Sequence, residues 1–319
     1  DQGGYPYGLY NKETGDVAQT AYNDESSYYR NLLNTGLNVE YQAQNFTLSA
    51  VTGYQHLKDR MFLDQDFTAK NTYTLEQKQR INTISEEIVM KSKESHRWQW
   101  ATGIFGFYQW LNTTAPVTFK EDGMAMMDQM LGNFIPALVE VPMGPGKNMN
   151  IMPALKVTSA RLPINGDFKT PLLNGALFHQ STFRDLFGID GVSFTAGLRL
   201  DYEKMKMDYN SGTAMDYTIG ITGQMMMNGA PTGKPISMMP ETALTVTSRY
   251  QGSISKDYLQ LLPKFALQYD FPKNLGNVYA TVSKGYRSGG YNIQMFSDLL
   301  QASLKNDMMR LTKDEIMSQ

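Results

Sequence analysis

The chain has no cysteine, which excludes a disulfide scaffold, a thiolate metal site and a cysteine nucleophile. It has three histidines, His56, His96 and His179, and no two of them stand at a metal-ligand spacing. Charge is scarce: 19% of residues are Asp, Glu, Lys or Arg, against the usual ~25%. The net charge of −2 argues against nucleic acid as a partner, which needs a concentrated basic surface. No run of about 18 apolar residues occurs, so no transmembrane helix is expected. A wall of β-strands crosses a membrane without one. No residue pattern points to a cofactor or a resident metal.

What the chain does have is aromatic residues, glycine and alternation. Its 319 residues include 19 Tyr, 15 Phe, 27 Gly and 21 Met. From Asn31 to Gln42 the odd positions Leu33, Leu37, Val39 and Tyr41 are apolar, while Asn34, Gly36, Asn38, Glu40 and Gln42 are polar or small. Such period-two alternation marks a β-strand with one apolar face. The pattern resumes with Phe46, Leu48, Ala50 and Tyr54. A third strand is expected over about Thr74–Met90, with Ile84, Ile88 and Met90 on one face, and a fourth in RWQWATGIFGFYQW, where Trp98, Trp100, Ile104, Tyr108 and Trp110 share a face. Phe105 and Phe107 break that rule. Further strands are expected over Leu172–Phe183, Val192–Met207, Tyr258–Asp270 and Asn277–Asn292. A short strand near Tyr7–Tyr10 is weaker. Helical spacing shows at about Met124–Leu138, interrupted by Gly132 and Pro136, and again after Asn292 at Met295, Leu299, Leu300 and Leu304.

The connections carry the strongest signal. Short turns fall near residues 44, 93, 188 and 274; longer segments fall near 64–73, 114–170 and 209–251. Short and long alternate without exception, as they do in membrane barrels with tight turns at one end and long loops at the other. Aromatics gather beside the short turns: Tyr41, Phe46, Trp98, Trp100, Tyr269, Phe271 and Tyr279. Tyr and Trp at that height suit a membrane–water interface. The expected fold is therefore all-β, an antiparallel transmembrane β-barrel. The part present is about eight long strands, with long surface loops that contain short helices. A large soluble β protein is the competing reading, with half-buried strands in place of a lipid-facing wall. Residues 114–170 and 209–251 are expected to be long extracellular loops.

Several residue sets carry a chemical reading beside a structural one. The clusters Met124, Met126, Met127, Met130 and Met225–Met227 offer soft thioethers of the kind that hold Cu(I), or flexible apolar filler. His179 and Ser181 are two apart on one strand and share a face, an arrangement that serves a barrel-borne serine hydrolase or a polar patch. Glu40, Glu87, Arg199, Asp201, Glu203 and Lys264 fall on polar faces, where they pair with each other, with a plug, or line a substrate path. Arg199, Asp201 and Arg287 are the lumen-facing candidates for ligand contact.

The phrase Tyr279–Asn292, YATVSKGYRSGGYN, resembles the late-barrel strand of TonB-dependent outer-membrane receptors, which read aromatic-Ala-x-x-Ser-x-Gly-Tyr-Arg/Lys-x-Gly-Gly-x-Asn. With Gly197–Lys204, GLRLDYEK, it is similar to the siderophore-receptor-like branch. The resemblance implies a 22-stranded barrel filled by an N-terminal plug, with a TonB-contacting segment ahead of it. It implies uptake of a ferric siderophore, haem, cobalamin or glycan, driven through TonB by the inner-membrane proton gradient. The implied partners are outer-membrane lipid, a small-molecule nutrient and the TonB complex through a plug segment, at the outer membrane of a Gram-negative bacterium. No plug, TonB-contacting segment or closing aromatic strand is recognisable, so the chain reads as a portion of such a barrel that would not transport alone and would not be an enzyme. A passive porin or a surface adhesin on the same kind of barrel is the alternative.

Overall fold

A computed structural model describes residues 23–64, 70–93, 97–132, 138–287 and 289–318. In chain order these form β1 (Ser27–Gln42), β2 (Phe46–Asp64), β3 (Tyr73–Ser92), β4 (Trp98–Thr114), β5 (Val117–Phe119), α1 (Glu121–Gly132), β6 (Val139–Gly144), β7 (Lys147–Val157), β8 (Leu162–Lys169), β9 (Leu172–Arg184), β10 (Val192–Met227), β11 (Ala230–Pro231), β12 (Ile236–Asp270), β13 (Asn277–Ser283) and α2 (Met295–Ser318). The strands join in one 13-stranded sheet. The expected strand near Tyr7–Tyr10 lies outside the described residues.

Eight of these strands make a wall in which neighbours in sequence are antiparallel neighbours in space. The order is β1, β2, β3, β4, β9, β10, β12, β13. The register is set by the alternation. Val39, Ala50, Ile88, Ile104, Leu177, Leu200 and Leu261 are each directly opposite the next. They form one apolar row across seven strands, and Leu177, at 54% exposure, is typical of its larger members. One residue away, the row Asn38, Val51, Glu87, Phe105, Ala176, Asp201 and Gln260 faces the other side. A one-residue slip would exchange these faces, so register is strongly specified. An exposed apolar face of this extent is a lipid-facing surface rather than a solvated one.

The height of the apolar face fits a bilayer. On β10 it spans Phe194 to Tyr202, and a tilted transmembrane strand needs about 9–11 residues. Aromatic side chains mark both borders. At the short-turn end Trp98 stacks on Phe183 at 6.4 Å; at the other end Tyr108 meets Trp110 edge-on at 4.4 Å. At a rise of about 3.4 Å per residue and a tilt of about 45°, Trp98 and Trp110 are about 29 Å apart along the membrane normal.

Beyond that upper border the strands run on in register but the chemistry changes sides. On the outer face of β10, Leu198, Leu200 and Tyr202 give way to Lys204, Lys206 and Asp208, while on the inner face Arg199, Asp201 and Glu203 give way to Met205, Met207 and Met215. The same exchange occurs on β12, at Leu259 and Asp257, and on β3, at Ile84 and Arg80. Outside the strands there is now water, and inside there is a protein core. Its centre is Leu162, Met215, Tyr217 and Val246 from the sheet, with Met124, Met127 and Leu131 from α1 and Leu304 and Met308 from α2. Phe296, Leu300, Leu304 and Met308 recur every four residues, so one stripe of α2 is buried. The phenol of fully buried Tyr217 donates to the Met308 carbonyl at 3.4 Å and accepts from Thr312 Oγ1 at 3.2 Å. Burial pushes that phenol above the ordinary tyrosine value. α1 docks through Gly123, where a Cβ would come within 2.2 Å of the Thr72 carbonyl oxygen.

Four expectations change. The segment 209–251 is not irregular: β10 runs on to Met227 and β12 begins at Ile236, and the two pair as one long hairpin. The segment 114–170 contains β5 to β8 and α1, with β8 pairing both β4 and β10. α1 is described to Gly132, and residues 133–137 of the expected helix lie outside the described residues; α2, with 24 residues, is not short. No helix among the described residues is long and apolar enough to cross a membrane. The strand expected over Asn277–Asn292 stops at Ser283, and the chain then folds back over the inner face, where Tyr291 donates to the Met205 carbonyl at 3.4 Å.

Candidate functional site

The inner face of the wall carries a polar cluster built on β9 and β10. Arg199 and Asp201 are two residues apart on β10, so both point inward. Arg199 Nε lies 2.7 Å from Asp201 Oδ2, and Asn174 Nδ2 donates to Asp201 Oδ1 at 2.6 Å. Asp201 is buried, and both its oxygens are satisfied, as a buried carboxylate requires. The guanidinium of Arg199 sits over the rings of Phe105 at 5.6 Å and Phe178 at 5.9 Å. This explains why Phe105 departs from the polar pattern of its face: it supports a cation. Phe178 reaches that position because its partner across the strands is Gly103. A Cβ there would meet the Phe178 ring at 2.4 Å and the Ile88 carbonyl at 2.8 Å.

Glu203 stands one step higher. Its Oε2 accepts from Tyr286 at 3.5 Å, and its Oε1 is buried without a hydrogen-bond partner. An orphaned carboxylate oxygen is costly, and it marks a place for a donor. Arg287, next to Tyr286, is exposed and forms no ion pair with a described residue. Of the three candidates, Arg199 and Asp201 are brought together, and Arg287 is not paired with them.

Above Glu203 two cavities follow each other along the inner face. The lower, about 270 Å³, lies between Gln79, Gln109, Thr113, Met205 and Tyr291. The upper, about 400 Å³, is walled by Tyr73, Phe119, Phe168 and Phe296, with Gln77, Ser211, Ser297 and Gln301 offering amide and hydroxyl groups. Ile293 lines both and stands between them. The first turn of α2 roofs the upper cavity, and Phe296 stacks on Phe168 at 5.2 Å and on Tyr209 at 4.8 Å. Asp298 is the single charged lining residue of the upper cavity. Sequence reasoning missed this site. The lining of the upper cavity comes from β3, β5, β8, β10 and α2, and the inserted strands β5 and β8 bridge β3 to β10.

His179 and Ser181 do meet, with His179 Nε2 3.0 Å from Ser181 Oγ. They lie on the lipid-facing side, opposite Leu198 and Ala196. Thr102 Oγ1 lies 2.6 Å from His179 Nδ1, and Trp98 Nε1 donates to Ser181 Oγ at 3.1 Å. Polar groups facing hydrocarbon must satisfy one another, and this chain of four does so. His56, on the same face, bonds Asn82 at 2.7 Å; His96 lies outside the described residues. Of the methionine clusters, Met124 and Met127 are core residues, while Met126, Met130 and Met227 are exposed.

A family model described as TonB dependent receptor-like, beta-barrel, matches residues 1–306. No curated protein matches the sequence.

Proposed function

The chain belongs to the TonB-dependent receptor-like β-barrel family, and on that premise we propose that it forms part of an outer-membrane receptor that imports a scarce nutrient with energy coupled through TonB. Barrels of this family lie in the outer membrane and serve nutrient uptake. In this reading the bacterium is Gram-negative, and segments 114–170 and 209–251 form the extracellular side that grips the ligand. The partners are outer-membrane lipid, the TonB complex through a plug segment, and the nutrient itself.

The upper cavity is the observation that carries the proposal. Four aromatic rings with amide and hydroxyl groups between them suit a ligand with apolar faces and hydrogen-bonding edges. Among ferric siderophores, haem, cobalamin and glycans, this favours a neutral ferric siderophore or a glycan. Haem brings two carboxylates, and the upper cavity offers them no cation. Below the cavities, the orphaned Glu203 oxygen and the Arg199–Asp201 pair line the inner wall.

The test uses cells carrying the full-length protein. Binding of a neutral ferric trihydroxamate, a maltooligosaccharide and haemin is measured on intact cells. One of the two neutral ligands is expected to bind, haemin less well, and Phe296→Ala is expected to weaken binding at least about tenfold at unchanged surface expression. Unchanged binding by the Phe296→Ala protein would remove the cavity from the proposal. Uptake should stop when the proton gradient is collapsed; uptake that continues belongs to a passive channel.

A further inference from the structure

Just above the lipid-facing band, β2 and β3 place like charges face to face. Lys58 is directly opposite Arg80, and in the next row Arg60 is directly opposite Lys78. All four project from the outer face, in register with Leu48, Ala50 and Tyr54 below them. Like charges directly opposite across an antiparallel pair are destabilising, and here two such pairs follow in succession. One carboxylate answers them: Glu76 lies 2.6 Å from Arg60 Nε and 3.1 Å from Lys78 Nζ. Neither Lys58 nor Arg80 forms an ion pair with a described residue, so three positive charges stay uncompensated.

The same level of the wall on β10 and β12 is arranged differently. There Lys204 is opposite Asp257, Lys169 is opposite Asp208, and Lys206 Nζ lies 2.8 Å from Asp208 Oδ1. Cations on that side of the sheet therefore stand opposite carboxylates, and on the other side opposite cations. A cleft of about 540 Å³ runs beside the open block, edged by Tyr29, Arg30, Lys58, Arg60 and Lys78, with Asp59 as its one carboxylate. Beneath it, past the His56–Asn82 row, Tyr54, Ala50, Ile84 and Ile88 carry the apolar face, and the Thr52 hydroxyl donates to Glu86 at 2.5 Å between them.

We propose that this block binds the phosphate groups of an anionic membrane lipid, in the leaflet on the side of the long hairpin. The cations supply the missing counter-charge to the headgroup, and the apolar rows below receive the acyl chains. A bound phosphate also removes the cross-strand repulsion, so the site is completed by its ligand. A lipid is favoured over free phosphate because the cationic block and the acyl-binding surface lie on one face, with only the hydrogen-bonded His56–Asn82 row between them. The proposal requires the chain to sit in a membrane and is independent of what the receptor imports.

The full chain, purified in a non-ionic detergent, is titrated with bis-phosphorylated lipid A, with the same lipid stripped of its phosphates, and with inorganic phosphate. Binding and the Tm of the lipid-free chain are both recorded. The phosphorylated lipid should bind at least about tenfold more tightly than the stripped one, weaken as salt rises, and resist displacement by millimolar inorganic phosphate. The double variant Lys58→Gln, Arg80→Gln should lose at least about tenfold in affinity while its lipid-free Tm stays the same or rises, because repulsion has been removed. Lys204→Gln should leave lipid binding unchanged. Equal binding of the stripped lipid, or ready displacement by inorganic phosphate, would overturn the proposal. So would a double variant that lowers the lipid-free Tm and leaves binding intact, since that is the result of a structural role.

Discussion

The lower and upper halves of β10 are one continuous strand with opposite constitutions. Below Lys204 the even-numbered side chains are apolar and the odd-numbered are polar; above it the odd are apolar and the even are polar. Backbone geometry and hydrogen-bond partners pass through the boundary unbroken, since β12 stays in register with β10 from Val192 to Ile219. Only the surroundings differ. Outside the lower half is lipid, and its inner face is kept polar by Arg199, Asp201 and Glu203. Outside the upper half is water, and its inner face is covered by α2. Alternation therefore reports which side of a strand is dry, and a change of phase within one strand reports a change of medium rather than the end of the strand.

The sharpest way to break this comparison is to place the same charge on the same face at two heights. Leu198→Arg puts a cation in the middle of the apolar band and is expected to cost about 2–4 kcal/mol. Ala214→Arg, on the same face but above the boundary, is expected to stay within about 0.5 kcal/mol. Unfolding by urea in lipid vesicles measures both, and equal losses would refute the boundary. Next in size is the core under α2. Leu304→Ala should cost about 3 kcal/mol, read as faster proteolysis of the long hairpin while the wall keeps its resistance. Loss of protection in both halves together would show that they fold as one unit.

The smallest effect is electrostatic and belongs to the upper half alone. Asp208 is held below its ordinary pKa of 3.8, first by its hydrogen bond from Lys206 and then by Ser253. At Glu76 burial raises the pKa, but hydrogen bonds and charge from Arg60 and Lys78 outweigh it, so the net shift is downward from 4.5. A carboxylate with a lowered folded pKa stabilises above its unfolded pKa, and that contribution is lost as pH falls through the folded one. The Tm of the upper half should thus be level from pH 7 to about pH 5 and fall below about pH 4. Asp208→Asn should flatten part of that fall.

The wall was legible in the sequence because two independent patterns agreed on it: period-two alternation within strands, and short turns alternating with long connections. The faces assigned to Leu33–Tyr41, Ile84–Met90 and Leu198–Tyr202 are those the register produces. Phe105 was visible as an exception and becomes intelligible once Arg199 is found over its ring. The upper hairpin was hidden by its own chemistry. With Met, Thr and Gly at the exchange of phase, residues 209–251 lose the period that a fixed-phase reading follows, though the odd positions Met215, Tyr217 and Ile219 preserve it. The end of β13 at Ser283 was hidden as well. Tyr286 and Tyr291, which follow it, bond to the inner face of β10 instead of extending a ladder. The cavities were least legible: the upper is walled by five elements, with β3 joined to β10 through β5 and β8, and the lower by β3, β4, β9 and β10 together with the returning chain at Tyr291 and Ile293.

The boundary on the outer face has a mechanical consequence. A transmembrane helix meets a thicker or thinner bilayer by tilting, but a strand bonded to both neighbours has no such freedom of its own. Lowering the sheet by two residues would draw Lys58, Arg80 and Lys204 into hydrocarbon; raising it would lift Trp98 and Phe183 out of their interface and expose apolar rows to water. The molecule thus floats at a set depth, and it is the surrounding lipid that must stretch or thin to meet it.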